Sequence, residues 1–218
     1  MVLVSINIGS SQAVSNGIRA TTTGINKKPV PRAEIYALGL NGDLVADKKN
    51  HGGPDQAVYV YSVDDYAWWA EQLGAELEPG TFGENLTFSS FGPETVRIGD
   101  RFGVGKVLLE VTAPRIPCWV LADRMGDNGF VKRFQKAERP GFYTRVIETG
   151  EVKTGDLIEK TSAPTTNPTL SEIFALWYEK SPSPETLRWV LSAPLAARAR
   201  KDYEERLREI TGIPSPKG

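Results

Sequence analysis

A chain of 218 residues, 40% of them hydrophobic, suits one large domain or a medium domain with a small appendage, and it supplies enough apolar material for a real core. Its 26 basic residues stand against 27 acidic ones, which argues against a general nucleic-acid or membrane surface, so any basic site must be local. The lone cysteine, Cys118, excludes an internal disulfide and a cysteine-rich zinc site, and the lone histidine, His51, argues against a protein-only transition-metal cage.

The opening "MVLVSINIGSS" alternates Val2, Val4, Ile6 and Ile8 against Leu3, Ser5 and Asn7, which predicts a strand. It lacks the basic start and long apolar run of a signal peptide, and no later segment has transmembrane length, so the expected location is the cytoplasm. Next come "TGINKKPV", where Lys27 and Lys28 precede Pro29, and "GLNGDLVADKKNHGGPDQAVYVY", which gathers Asp43, Lys48, Lys49, His51, Gly52, Gly53 and Asp55. A Lys-Lys pair reads either as a solvated surface or as a local basic site. A loop histidine beside two glycines reads either as a site residue or as a partner of its own turn.

"SVDDYAWWAEQLG" predicts a helix with Ser62 as N-cap, Asp65 at the capping-box position and Gly74 as its stop, with Tyr66, Trp69 or Ala70, and Leu73 towards the core. "GTFGENLTFSS" follows, two glycines and a Glu84-Asn85 pair ahead of strand-like residues. It is either a plain turn or the lip of a site. "RFGV" and "KVLLEVT" flank Gly105-Lys106, a hairpin signal in which glycine at the first loop position suits a type II′ turn. "VRIGDRF" and "VKTGDLI" echo one another, with a third Gly-Asp at Gly42-Asp43. The echo is read first as turn chemistry, with a closed or strongly curved sheet as the alternative.

In "APRIPCWVLADRMG", Pro117 predicts a short helix that ends at Gly126. Cys118 is then either a small buried hydrophobe or a thiolate, since helix N-termini and cations such as Arg115 both lower a thiol's pKa. The Pro/Thr-rich "TSAPTTNPT", Thr161 to Thr169, reads as a linker. Beyond it lie three helices: one capped by Thr169 and Glu172 with Leu170, Ile173, Phe174 and Trp177 on a stripe, one opened by Ser183-Pro184, and a last one with Leu195, Ala199, Tyr203, Leu207 and Ile210 near one face. Arg198, Arg200 and Lys201 are followed at once by Asp202, Glu204, Glu205 and Glu209, so this helix reads as a solvated face and not a stable nucleic-acid surface. Trp177 and Trp189 are read as core residues, ahead of the alternative that they are stacking platforms for a base.

Taken together, "GL.GD…HGG.D.AVY.Y", "G.FGENLT" and "R.PC", in this order between about Lys27 and Leu121, resemble the signature of MOSC domains, named for the C-terminal domain of molybdenum cofactor sulfurase. The three C-terminal helices resemble the appendage of the YiiM-like branch. The resemblance implies a mixed α/β fold dominated by β: a MOSC-type β-barrel domain with a few helices over residues 1–163, then a three-helix domain over 164–218. It also implies the molybdenum cofactor as ligand, pyridoxal phosphate binding as a further family attribute, and reduction of N-hydroxylated bases such as 6-hydroxylaminopurine.

On that footing, the cofactor's phosphate would meet Lys27, Lys28, Arg32, Lys48 or Lys49, His51 and Arg115, with Gly52 and Gly53 lending backbone N–H groups. Asp43, Asp55 and Asn85 complete the cofactor-binding set, Cys118 is the single protein ligand of the metal, and His51 and Glu84 join it as the catalytic candidates. Substrate protons would come from among His51, Glu84, Asn85, Asp43 and Asp55. No flavin, haem or iron–sulfur motif is visible, so an external electron-donor protein is expected. The appendage is read as a lid or docking unit beside the pocket, with support of a homodimer as a second role. A carrier of the cofactor or of sulfur would use the same residues without turnover, and a cofactor-free hydrolase or transferase would use Cys118 with His51.

Overall fold

A computed structural model describes residues 1–15, 18–47 and 52–212. Among them, thirteen strands, six α-helices and one short 3-10 helix (Pro54–Gln56) form a mixed α/β fold. The main sheet has eight strands. In spatial order they are β13 (Ile158–Thr161), β9 (Arg101–Val104), β10 (Val107–Pro114), β11 (Phe142–Glu148), β7 (Val58–Ser62), β8 (Leu86–Phe88), β1 (Leu3–Gly9) and β4 (Lys27–Val30). A smaller sheet pairs β12 (Gly150–Lys153), β5 (Arg32–Tyr36) and β6 (Gly39–Leu40), and β2 (Gln12–Ser15) with β3 (Ala20–Thr23) makes a separate hairpin.

The large sheet does not close as a barrel. Its named edges are β13 and β4, and between them run the isolated Val2–Leu157 pair, three backbone bonds that join residues 155–158 to residues 1–3, and a bond from the Thr154 N–H to the Pro31 carbonyl. The closed barrel that was expected is thus an open eight-stranded sheet. The β9–β10 hairpin turns through Gly105-Lys106, with positive φ only at Gly105, as a type II′ turn requires.

One pair in the sheet is parallel, β7 with β8. Parallel neighbours need a crossover, and helix α1 (Val63–Leu73) supplies it. Ser62 caps α1 by accepting from the Asp65 N–H. Its inward face is Tyr66 and Trp69, while Ala70 and Leu73 are only half-buried. Helix α2 (Trp119–Arg124) starts with Cys118 itself as N-cap, so Pro117 precedes the helix instead of opening it. Helix α3 (Phe130–Ala137) was not foreseen.

Strand β1 departs from its apolar alternation. Leu3, Ser5 and Asn7 are buried, while Val2 and Val4 stay exposed. The register shifts between Leu3 and Ser5, and the inward polar residues are absorbed by hydrogen bonds: the Ser5 hydroxyl donates to Asn7 Oδ1 at 2.7 Å and Asn7 Nδ2 to Thr87 Oγ1 at 3.2 Å. The pattern was set by a polar network and not by the core.

The three C-terminal helices are α4 (Leu170–Tyr178), α5 (Pro184–Leu191) and α6 (Ala197–Thr211). The Thr169–Glu172 capping box and the Ser183 cap both form as expected. Ile173, Leu187, Val190 and Tyr203 join Val96, Ile98, Phe102 and Val111 in one buried cluster, so the appendage packs on the sheet and does not stand apart. A second, aromatic cluster of Tyr59, Tyr61, Tyr66, Trp69, Phe82, Phe130 and Phe134 fills the space beneath α1.

Candidate active site

Three separate turns converge beside the β1–β8 pair. The first carries Asp43, whose side chain is only 3% exposed. Asp43 accepts the Lys27 ammonium on both oxygens at 2.5 Å, the Gly9 N–H at 2.7 Å and Asn85 Nδ2 at 2.8 Å. A buried ion pair is tolerable when its remaining lone pairs are filled, and here they are. Burial is the largest influence on Lys27 and draws its pKa below the usual lysine value, against the attraction of Asp43. Asn85 is equally committed, because its Oδ1 accepts the Tyr59 N–H at 3.2 Å. It locks β7 to the Asp43 turn.

The second turn is Gly80 to Asn85. Gly83 and Asn85 face a large cavity, but Glu84 points the other way and is fully buried. Its Oε1 accepts Tyr66 OH at 2.6 Å, Gly80 N–H at 2.6 Å and Thr87 OH at 2.9 Å, whereas Oε2 has no partner among the described residues. Burial, opposed by those bonds, raises the Glu84 pKa above the ordinary carboxylate value. Glu84 therefore does not line the mouth as expected. It braces the turn from behind.

The third turn runs from Ala113 to Trp119, at the end of β10. Arg115 is 4% exposed, and its guanidinium lies 4.9 Å from the centre of the Tyr59 ring. Burial works against its charge, but Tyr143, Tyr59, Cys118 and Glu84 together raise its pKa, so it stays a fixed cation. Its Nε has no hydrogen-bond partner among the described residues. Tyr59 and Tyr143 are held as neutral phenols by burial, with Arg115 opposing. Cys118 is a half-buried free thiol on the wall of the same cavity.

That cavity has a volume of about 880 Å³. Its walls come from β3, residues 44–47, the Arg115–Cys118 turn, and the appendage helices α4 and α6. It brings together Lys27, Asn85, Arg115 and Cys118, with Asp43 directly behind Lys27. Other expected residues lie elsewhere among the described ones. Lys28 is exposed on β4, and Arg32 is exposed on β5, 3.7 Å from Glu151. Asp55 is bound to Arg145 and to the Ala197 N–H, away from the cavity wall. Gly52 and Gly53 are half-buried and do not line it, and Lys48, Lys49 and His51 fall outside the described residues.

The structure adds wall residues that the sequence reading passed over, Tyr59, Tyr143, Gln56 and Thr21 to Thr23, and two that it read otherwise, Trp177 and Arg198. The β-branched run "ATTT" ahead of Gly24 was a strand signal for β3. Trp177 was assigned to the core and lies instead, half-buried, on the cavity wall. Among the described residues, no group of three or more His, Cys, Asp or Glu is poised to hold a metal, so Cys118 would be a lone protein ligand. No described helix is long and apolar enough to cross a membrane.

Comparison with known proteins gives the family. A family model for the MOSC domain matches residues 47–159, just over half of the chain. The protein YflK of Bacillus subtilis is 39% identical over 72% of this chain and 72% of its own length. Protein YiiM of Escherichia coli is 34% identical over 59% of this chain and 58% of its own, and a protein of Gibberella moniliformis named "Reductase" is 37% identical over 59% of this chain but only 23% of its own. Among solved structures, YiiM from Geobacillus stearothermophilus superimposes with a TM-score of 0.77 at 26% identity, covering 94% of this chain and 98% of that one. The chain belongs to the MOSC domain family.

Proposed function

We propose that the chain is a molybdenum-cofactor-dependent reductase of N-hydroxylated compounds, with purine hydroxylamines such as 6-hydroxylaminopurine among its substrates and Cys118 as the protein ligand of the metal. The observation that carries this reading is the placement of a free thiol on the wall of an 880 Å³ cavity beside two buried cations, Lys27 and Arg115. The residues fit the group. A buried guanidinium nitrogen without a partner is a donor that an anionic ligand would satisfy, and a thiol is a soft donor that suits molybdenum. The reductase name of one relative, whose length this chain matches only in small part, agrees with it.

When bound, the cofactor supplies the two electrons for N–O cleavage, and an external partner protein replenishes them. The chain's own residues hold and orient. Arg115 stays charged and offers an anion a fixed counter-charge, while the Asp43 clamp fixes where Lys27 points. Asn85 and Asp43 are fully engaged with one another and serve as positioning residues, not proton donors. Glu84 faces away from the cavity and Asp55 is bound to the appendage, so His51 is the acid that this reading nominates. Pyridoxal phosphate has weaker support, because Lys27, the lysine on the cavity wall among the described residues, is clamped by both oxygens of Asp43.

The test is to load the protein with molybdenum cofactor and follow 6-hydroxylaminopurine reduction by wild type and Cys118→Ala with a chemical electron donor. Turnover lost in the variant supports the reading. Cofactor held without turnover in either protein points to a carrier, and a failure to bind the cofactor returns the cysteine hydrolase to the front.

A further inference from the structure

The two large clusters explain most of the aromatic residues, but not Trp177. Trp69 shows what a core tryptophan looks like here: 1% exposed, with Phe82, Phe130 and Phe134 rings 5.1–6.0 Å from its own. Trp177 is half-buried and sits on the cavity wall, and its described ring contact is with a cation, the Arg198 guanidinium 5.9 Å from its centroid. Trp177 and Ile173 are one helical turn apart on α4 and both line the cavity, so the helix presents this stripe to the space and not to the core alone.

The remaining wall supplied by the appendage is smooth and largely apolar, with Ala196, Ala199 and Tyr203. Arg198 also lies close enough to Tyr143 to influence its ionisation, which ties this wall to the Arg115 turn. The Arg198 guanidinium lies over the Trp177 ring, and an indole backed in this way suits a flat heteroaromatic ring stacked on its other face. A flexible aliphatic ligand would gain little from it.

We propose that Trp177, backed by Arg198, is the platform on which a planar heteroaromatic substrate stacks, so that the three-helix unit carries the substrate specificity of the site. The identity of that ring as part of an N-hydroxylated substrate rests on the reductase reading. The platform itself does not.

The test is calorimetric titration of adenine, an unreactive planar probe, and of neopterin into wild type, Trp177→Phe, Trp177→Leu and Trp189→Leu. Trp189 is the control, an exposed tryptophan on the same appendage whose Nε1 donates to the Thr166 carbonyl. Stacking on an aromatic side chain is worth enough that adenine should bind about tenfold more weakly to Trp177→Leu, while Trp177→Phe keeps most of the affinity and Trp189→Leu keeps all of it. With loaded enzyme, KM for 6-hydroxylaminopurine should rise in parallel at unchanged kcat, and KM for N-methylhydroxylamine should not move. In folded wild type, saturation transfer from the Trp177 indole to the purine protons gives a reading that needs no variant.

Unchanged adenine affinity in Trp177→Leu, equal losses in the leucine and phenylalanine variants, or absent saturation transfer overturns the platform. A loss confined to neopterin overturns it too, because the indole would then serve the cofactor's ring. Adenine bound by wild type and lost in Trp177→Leu, with no reduction of any hydroxylamine, sinks the reductase reading and leaves the platform standing.

Discussion

The carboxylate of Asp55 accepts the backbone N–H of Ala197, 2.8 Å away, at the start of α6. The N-cap of that helix, Ala196, has no side chain able to cap it, so the cap arrives from a distant turn of the β unit. The other Asp55 oxygen accepts Arg145 Nε at 2.9 Å, and Arg145 also donates to the Pro194 and Leu195 carbonyls at 3.2 Å each. One aspartate thereby fastens the helix that carries Arg198 and Tyr203 to the sheet.

Asp55→Ala should therefore lower stability by about 1–3 kcal/mol, the cost of an orphaned helix N–H and a broken partly buried ion pair. Asp55→Asn should cost less, since it keeps one acceptor oxygen. Thermal melts would show the alanine variant down by roughly 2–4 °C per kcal/mol at this size. An alanine variant that melts like wild type but has lost cofactor binding would return Asp55 to the ligand set.

Glu84 gives a pH dependence whose sign is fixed by its raised pKa. The native carboxyl holds its proton to a higher pH than the unfolded chain does, so the folded state binds more protons in the window above 4.5. Stability from this group is full below that value and is lost as pH rises through the folded pKa. Glu84→Gln does not titrate, so its stability relative to wild type should climb as pH rises from 4.5, by at most about 1.4 kcal/mol per pH unit. Urea denaturation at a series of pH values measures this. A flat difference would mean that Glu84 is ionised in the native state.

Local rules of capping and turn chemistry made much of the fold legible. Ser62, Thr169 with Glu172, and Ser183 cap the helices where the sequence put them, and Gly105-Lys106 makes the hairpin turn. Readings that depended on tertiary context failed. Strand β1 carries Ser5 and Asn7 inward because Ser5 bonds Asn7 and Asn7 bonds Thr87, which alternation cannot show. Helix α3 is short, and its inward residues are just Phe130 and Phe134, one i,i+4 pair.

The site was legible as a set of turns but not as side-chain directions. Glu84 and Asn85 are adjacent in sequence, yet Glu84 faces the aromatic cluster and Asn85 the cavity, a division that the turn sets and that residue type does not reveal. Trp177 was misread because an amphipathic stripe looks the same whether it meets a core or a cavity wall. Asp55 was nominated by its neighbours His51 and Gly53, and only the fold shows that its carboxylate belongs to the appendage.

Gly80 tests the turn that opens onto Glu84. It has φ of +87°, and a Cβ there would lie 2.8 Å from the Lys27 carbonyl oxygen. Its N–H also holds Glu84 Oε1. Gly80→Ala should cost about 2 kcal/mol or more, from the left-handed conformation and the backbone contact together, and should disturb the strand that carries Lys27. A denaturation midpoint within error of wild type would mean that the β4 backbone yields freely at this point.

Cys118 offers a direct probe of the cavity, because it is the chain's only thiol and it is half-buried on the wall. Under native conditions iodoacetamide should add one carbamidomethyl group per chain, a count that intact-mass spectrometry reads without ambiguity from other cysteines. A ligand that fills the cavity excludes the reagent from the same wall, so molybdopterin should slow the reaction severalfold. Arg115→Met removes the fixed buried cation beside the thiol and should weaken that protection by about tenfold in ligand concentration, since a charge-assisted contact of roughly 1.5–3 kcal/mol is lost. Alkylation that proceeds at the same rate with saturating molybdopterin would separate the thiol from the cofactor site, and protection unchanged in Arg115→Met would show that the guanidinium does not meet the ligand.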